Sequence, residues 1–198
     1  MLGDQVQTEN SLGEAPMLGD HLALDTLNTE ARSDGNVVDF WGSDADVLIW
    51  LKRFTAVPLL AAAPENLLVQ GRALRALARE LIVKRKEGSE VDIGDLNKYL
   101  HGYQSAPHLE RDSQGKWLLT RTTNGKTTES LLGPVAEAVA QLLVEGNFEL
   151  VKQCEHPDCI LWFYDRTKAH KRRWCSMALC GNRYKAAQFR KRSSGDGV

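Results

Sequence analysis

No cysteine precedes Cys154 in this chain of 198 residues, so neither disulfides nor thiolate-bound metal can organise its first three quarters. No apolar run approaches the roughly 18 residues that a helix needs to span a bilayer. The opening MLGDQVQTEN has neither the basic nor the apolar region of a secretion signal. These absences exclude a helical membrane protein and lead us to expect a soluble, cytoplasmic chain with no membrane partner. Internal repeats and low-complexity segments are also lacking between the two ends, which excludes a repeat array. Net charge is nearly absent, at -1.

That last absence conceals a division. Residues 1–150 carry 14 Lys and Arg against 22 Asp and Glu, a net of -8; residues 151–198 carry 11 against 4, a net of +7. A basic module therefore follows an acidic body, and such asymmetry points to a polyanionic partner. Hydrophobic residues make up 42% of the chain, enough for a packed core.

Residues 1–20 are polar and without sustained period, and read as a flexible tail. Ser43 and Asp46 resemble a capping box ahead of Val47, Trp50, Leu51 and Phe54, which follow a helical period. Pro64 fits a first helical position, and Leu67, Gly71, Leu74, Ala78 and Leu81 share one face of a longer helix ending in Lys84, Arg85 and Lys86. Ile93, Leu96 and Leu100 predict a third helix. HLERDSQGKWLLTRTTNGKTTE reads as a strand meander, with turns at residues 112–115 and at Asn124 and Gly125. Gly133 and Pro134 then open a helix with Val135, Ala138, Val139 and Leu142 inward, closed by Gly146 and Asn147.

All four cysteines fall in the basic module. Cys154 and Cys159 form C-x4-C, Cys175 and Cys180 form another, and 15 residues separate the pairs. Two disulfides or four buried thiols are the alternatives, the first disfavoured in a cytoplasmic chain and the second by polar surroundings. Zn2+ held by four thiolates is the expected cofactor. Four sulfurs leave no open position, so His156 within CEHPDC is expected beside the metal or in solvent, and catalytic zinc is not expected. FELVK and ILWFY read as strands flanking the first pair, and a helix starts at the second. Loop, hairpin and ligand-bearing helix describe a treble-clef-like zinc finger. The fold class is α+β: a mainly helical N-terminal domain with a small antiparallel sheet over residues 21–147, the finger over 148–192, and a short tail over 193–198.

A four-thiolate zinc site is formally -2 and needs positive neighbours. Arg172, Arg173 and Arg183 can serve it, and they can equally serve a polyanion. Placed on a helical wheel at about 100° per residue, Met177, Cys180, Tyr184 and Ala187 face the metal, Arg183 and Arg190 flank one edge, and Lys185 and Arg192 flank the other. With RTKAHKRRW before it, contributing Lys168, Lys171, Arg172 and Arg173, the basic groups surround the helix, and DNA is the expected partner. Phe189 lies opposite Cys180. In the first helix, Asp25 and Asn28 are i, i+3 neighbours suited either to the mouth of an effector pocket or to bonding local backbone.

RRWCSMALCGNR resembles the signature of the CGNR zinc finger. HLALDTLNTE is similar to the opening motif of the domain that precedes this finger in bacterial stress-induced transcription regulators, the ABATE type. The resemblance spans most of residues 21–192 and implies zinc on Cys154, Cys159, Cys175 and Cys180. It also implies a DNA-binding regulator, not an enzyme, whose N-terminal domain senses an effector or mediates homodimer formation. Thr26 stands where that motif commonly has an aromatic. Two other readings are a metal-dependent nuclease on a treble-clef scaffold, using His156 or His170, and a finger that binds protein through Phe189.

Overall fold

A computed structural model describes residues 14–33, 35–54, 62–123 and 126–195. Along them run α1 (Leu22–Leu27), β1 (Glu30–Ser33), β2 (Asn36–Asp39), α2 (Asp44–Leu51), α3 (Leu67–Glu87), α4 (Gly94–Gly102), β3 (Ser105–Arg111), β4 (Trp117–Thr123) and α5 (Thr128–Glu145). The finger follows as β5 (Val151–Gln153), β6 (Trp162–Tyr164), a π-helical turn (Met177–Gly181) and α6 (Asn182–Gly195). The strands form three separate antiparallel hairpins among the described residues. The class is the expected α+β, with helices carrying the core.

Helix α3 is the spine. Its expected inward residues Leu67, Gly71, Leu74, Ala78 and Leu81 are all buried. Against them pack α1 through Leu24 and Leu27, α2 through Val47 and Leu51, and α5 through Leu132, Val135, Val139 and Leu142. Each fully buried leucine stabilises by about 1.5–3 kcal/mol relative to exposure, so the central helix needs no strong propensity of its own. Lys86 at its last turn donates to the carbonyls of Phe148 (3.1 Å) and Val151 (2.7 Å), tying the spine to the start of the finger.

Helix starts show how local chemistry and packing divide the work. Ser43 caps α2 as expected, its hydroxyl accepting from the Asp46 N–H at 3.2 Å. Helix α3 begins at Leu67 rather than Pro64; Asn66 before it is left-handed, and the Leu68 N–H is capped from α2 by the Asp44 carboxylate at 2.6 Å. Helix α5 begins a turn and a half before Gly133. Thr127 caps it, with its hydroxyl accepting from the Ser130 N–H, and Pro134 sits inside. Gly133 is needed there for room, because a Cβ would lie 2.1 Å from the Tyr103 ring. The turn at residues 112–115 forms with Gly115 at φ 80°; the second expected turn, at Asn124 and Gly125, lies outside the described residues.

One buried cation was not legible in the pattern. Arg75 points from the inward face of α3 and is 4% exposed. Its guanidinium meets both Asp39 oxygens at 2.8 Å, Glu30 at 3.1 Å and the Thr29 hydroxyl at 2.9 Å, and lies 5.0 Å from the Trp41 ring centroid. Burial pushes the Asp39 carboxyl up, but Arg75, the Trp41 N–H and Arg72 outweigh it and hold it below its usual range. Arg75 thus pins the β1–β2 hairpin to α3. Replacing it by Met removes the charge but strands the half-buried Glu30 and Asp39 and the buried Thr29 hydroxyl, with Arg72 left to answer Asp39. We expect Arg75→Met to lower unfolding free energy by about 3 kcal/mol in denaturant titration; a loss under about 1 kcal/mol would show the network to be dispensable.

Candidate metal centre and basic surface

Cys154 directly follows β5, and Cys159 closes the CEHPDC turn, in which the Asp158 N–H donates to His156 Nδ1 at 3.1 Å. His156 therefore shapes the loop. Cys175 precedes the π-helical turn and Cys180 lies within it. The four sulfurs lie within 4.8 Å of one another, with Cys175 3.8 Å from Cys159 and 3.5 Å from Cys180. Four ligands about 2.3 Å from one tetrahedral ion stand about 3.8 Å apart. The donor set therefore fits a four-thiolate metal, and all four cysteines are free of disulfides.

The π turn explains the spacing between the second pair. Its extra residue per turn carries the Gly181 N–H to the Ser176 carbonyl at 3.1 Å and brings Cys180 Sγ back beside Cys175. A side chain at Gly181 would have to displace Met177: a Cβ would sit 2.6 Å from Met177 Sδ and 3.2 Å from the Trp174 ring. The same turn shifts the helical phase. Met177, expected to face the metal, is 52% exposed, whereas Tyr184 is partly covered, 4.8 Å from Trp174.

Donors surround the sulfurs. Arg183 Nη2 approaches Cys180 Sγ at 3.6 Å. Hydrogen bonding among the thiols divides them: Cys159 and Cys175, together with backbone N–H groups of Cys175 and His156, hold Cys154 well below its usual range, while donating to it pushes Cys159 and Cys175 up. Arg172 is committed more fully. It donates to the carbonyls of Trp174 (3.0 Å), Cys175 (2.5 Å) and Leu18 (3.1 Å), pairs with Asp20, and stacks on Phe163 at 4.2 Å.

A residue that the sequence reading missed organises the basic loop. Asp165 is fully buried and accepts from Lys152 Nζ (2.8 Å), Thr167 Oγ1 (2.6 Å), the Thr167 N–H (3.1 Å) and the Arg172 N–H (2.9 Å). Burial raises its pKa, but those donors prevail and hold it far below the carboxylate range. Its signal was the lone acid at the head of DRTKAHKRR. His170 belongs to the same frame: its ring contacts the Asp165 carbonyl at 3.2 Å, and its own carbonyl accepts from Lys152. Outside this frame Lys168 and Lys171 are exposed on the loop, and Arg183, Lys185, Arg190, Lys191 and Arg192 on the helix. Arg173 is half exposed, paired with Glu155 at 2.6 Å and lying over Trp174.

Asp25 and Asn28 are both buried, and their polar atoms go to backbone. Asn28 spans 134 residues: its Nδ2 donates to the Trp162 carbonyl at 2.9 Å, and its Oδ1 accepts from the Trp162 N–H at 2.8 Å. Asp25 accepts from the Gly19 N–H at 2.8 Å, and the Gly19 carbonyl accepts from Tyr164. Residues 14–20, which composition assigns to a tail, thus form a strap from the helical core to the finger, with Ala15 buried and Leu18 against the cysteine cluster.

A sulfur-only tetrahedral finger attached to a helical domain is the class that this geometry defines. Residues 151–193 match the CGNR zinc finger. Residues 20–146 match ABATE, "Putative stress-induced transcription regulator", and the chain belongs to that family. Zinc is accordingly the metal of the four-cysteine site. No curated protein matches the chain.

Two outcomes follow from this site. Metal analysis of reduced protein should give one zinc per chain, and Cys180→Ser should lose it together with the ordered Trp174 emission, since sulfur forms most of that small cluster. Retained stoichiometric zinc in that variant would contradict the four-ligand site. Burial, opposed by the Gly19 N–H, pushes the Asp25 carboxyl up to about 6 from an ordinary 3.8. The native state then keeps a proton that the unfolded chain has released, so stability is highest below that window and falls as pH rises through it. Asp25→Asn keeps an acceptor for Gly19 without the charge. Relative to wild type it should gain stability between pH 5 and 7, approaching about 2–3 kcal/mol; equal stability at pH 7 would refute the burial cost.

Proposed function

We propose that the protein is a zinc-dependent DNA-binding transcription regulator whose finger presents the DNA-facing surface. The observation that carries this reading is the distribution of exposed cations. Lys168 and Lys171 on the loop and Arg183, Lys185, Arg190 and Arg192 on the helix stand on a rigid zinc-anchored frame, attached to a body of net -8. A helix of about 15 residues is marginal alone in water. Zinc, Asp165 and Arg172 supply the missing constraint, so the charges reach a partner already positioned. Arg172 belongs to that frame, and Arg173 sits on its edge.

The helical domain is proposed to bias the finger through the Asn28 and strap contacts. An effector would work by changing those contacts. The protein-interaction reading has one observation in its favour, the exposure of Phe189 at 72%, with Leu179 and Met177 nearer the metal site each exposed at 52%. For the nuclease reading, His170 and Asp165 are both spent on the loop frame, and among the described residues the four cysteines are the one group placed to bind a metal.

Neutralising a phosphate contact removes about 0.9 from the slope of log affinity against log salt. The combined variant Lys168→Ala, Lys171→Ala, Lys185→Ala and Arg192→Ala, carrying full zinc, should flatten that slope by roughly three and a half units on mixed-sequence duplex DNA. Fluorescence anisotropy across salt concentrations provides the measurement. An unchanged slope with unchanged affinity would reject the finger as the DNA surface.

A further inference from the structure

The β3–β4 hairpin receives little support from the rest of the fold. Its strands pair in register from Ser105 with Thr123 to Arg111 with Trp117, and their main contacts are with each other. A two-stranded hairpin standing alone is marginal in water. Alternation divides it into two faces. Leu118, Thr120 and Thr122 are partly covered, whereas Leu109, Trp117 and Leu119 on the opposite face are 60%, 58% and 75% exposed. On that open face Leu109 lies across from Leu119, Arg111 across from Trp117 with its guanidinium 4.1 Å from the ring centroid, and Pro107 across from Arg121.

We propose that this face is a self-association surface that packs on the same face of a second copy of the chain. An isologous contact requires a patch that complements itself, and this patch does so under either in-plane two-fold axis. With the axis along the strands, Leu109 meets Leu119 of the second copy and Arg111 meets its Trp117. With the axis across the strands, the leucines meet their own counterparts and Trp117 meets Arg121 of the second copy. Both arrangements bury the leucines centrally and put an arginine against indole, a favourable cation–π contact. Glu110 and Asp112, mixed with Arg111, Lys116 and Arg121, make the hairpin a poor match for a polyanion.

Seven residues at about 3.3 Å each give a face about 23 Å long and two strands wide, smaller than the roughly 800 Å² per partner of a standard stable interface. The dimer is therefore weak and concentration-dependent. This inference stands apart from the DNA reading, since its test contains no DNA in the first arm.

Sedimentation of the full zinc-loaded chain from low micromolar to several hundred micromolar should show a reversible monomer–dimer equilibrium. Leu119→Asp should weaken it by about tenfold or more with an unchanged melting temperature, because Leu119 is already in solvent. Val144→Asp, at an 82% exposed position on α5, should leave it intact. A monomer at every concentration overturns the proposal, as does a dimer indifferent to Leu119→Asp or equally sensitive to Val144→Asp. If a monomeric protein loses affinity for duplex DNA on Leu119→Asp, the face serves DNA and self-association is refuted.

Discussion

The amide of Asn28 is the contact on which the arrangement of the whole chain turns. Placed by one short helix, it reproduces for Trp162 the paired donor and acceptor of a neighbouring strand, and so satisfies the outer edge of β6 from the helical domain. An unpaired buried peptide group costs about 1–3 kcal/mol. The finger hairpin, only three residues per strand, has few other ways to avoid that cost. Val151 and Trp162 consequently join the same apolar cluster as α1, α3 and α5. The boundary near residue 147 divides the sequence matches, but the core runs through it.

Zinc acts at the other end of this frame. The four sulfurs and Phe163 form a cluster too small to hold α6 by apolar burial alone, and the metal replaces that missing area. Its price is charge. Arg183 answers it at Cys180, while Arg172 supports the carbonyls that precede the second ligand pair and draws in Asp20 from the strap. A single arginine thereby links metal loop, basic loop and N-terminal strap. Docking of the finger and the approach to the second ligand pair thus share one residue.

What was legible in the sequence was whatever depends on repetition or on rare residue types. The inward stripe of α3, the Ser43 cap, the turn at residues 112–115 and the paired cysteines all follow from spacing. The start of α5 was misjudged because Gly and Pro usually punctuate helices, whereas here Gly133 answers to Tyr103 across the core. Arg75 and Asp165 escaped because a polar residue declares its burial only through partners far along the chain. Asp25 and Asn28 were noticed as a pair, yet nothing local distinguishes a residue lining a ligand site from one completing a remote strand. The π turn was invisible for a related reason: a uniform 100° wheel cannot contain it, and it moved Met177 outward.

Net charge overstates what the finger offers to a partner. Of its basic residues, Lys152 is held by Asp165, Arg166 bonds the Asp20 carbonyl and lies over Tyr164, Arg172 serves the strap, Arg173 meets Glu155, and Arg183 leans on sulfur. The field available for steering comes chiefly from Lys168 and Lys171 on the loop and from the far half of α6. In the chain these two groups of charge flank the second cysteine pair, and Asp165 and the metal hold them in fixed relation. Two fixed points of positive charge can distinguish the spacing of phosphates along a groove, which a flexible basic tail of the same charge cannot do. The rigid frame therefore determines geometry more than it increases charge.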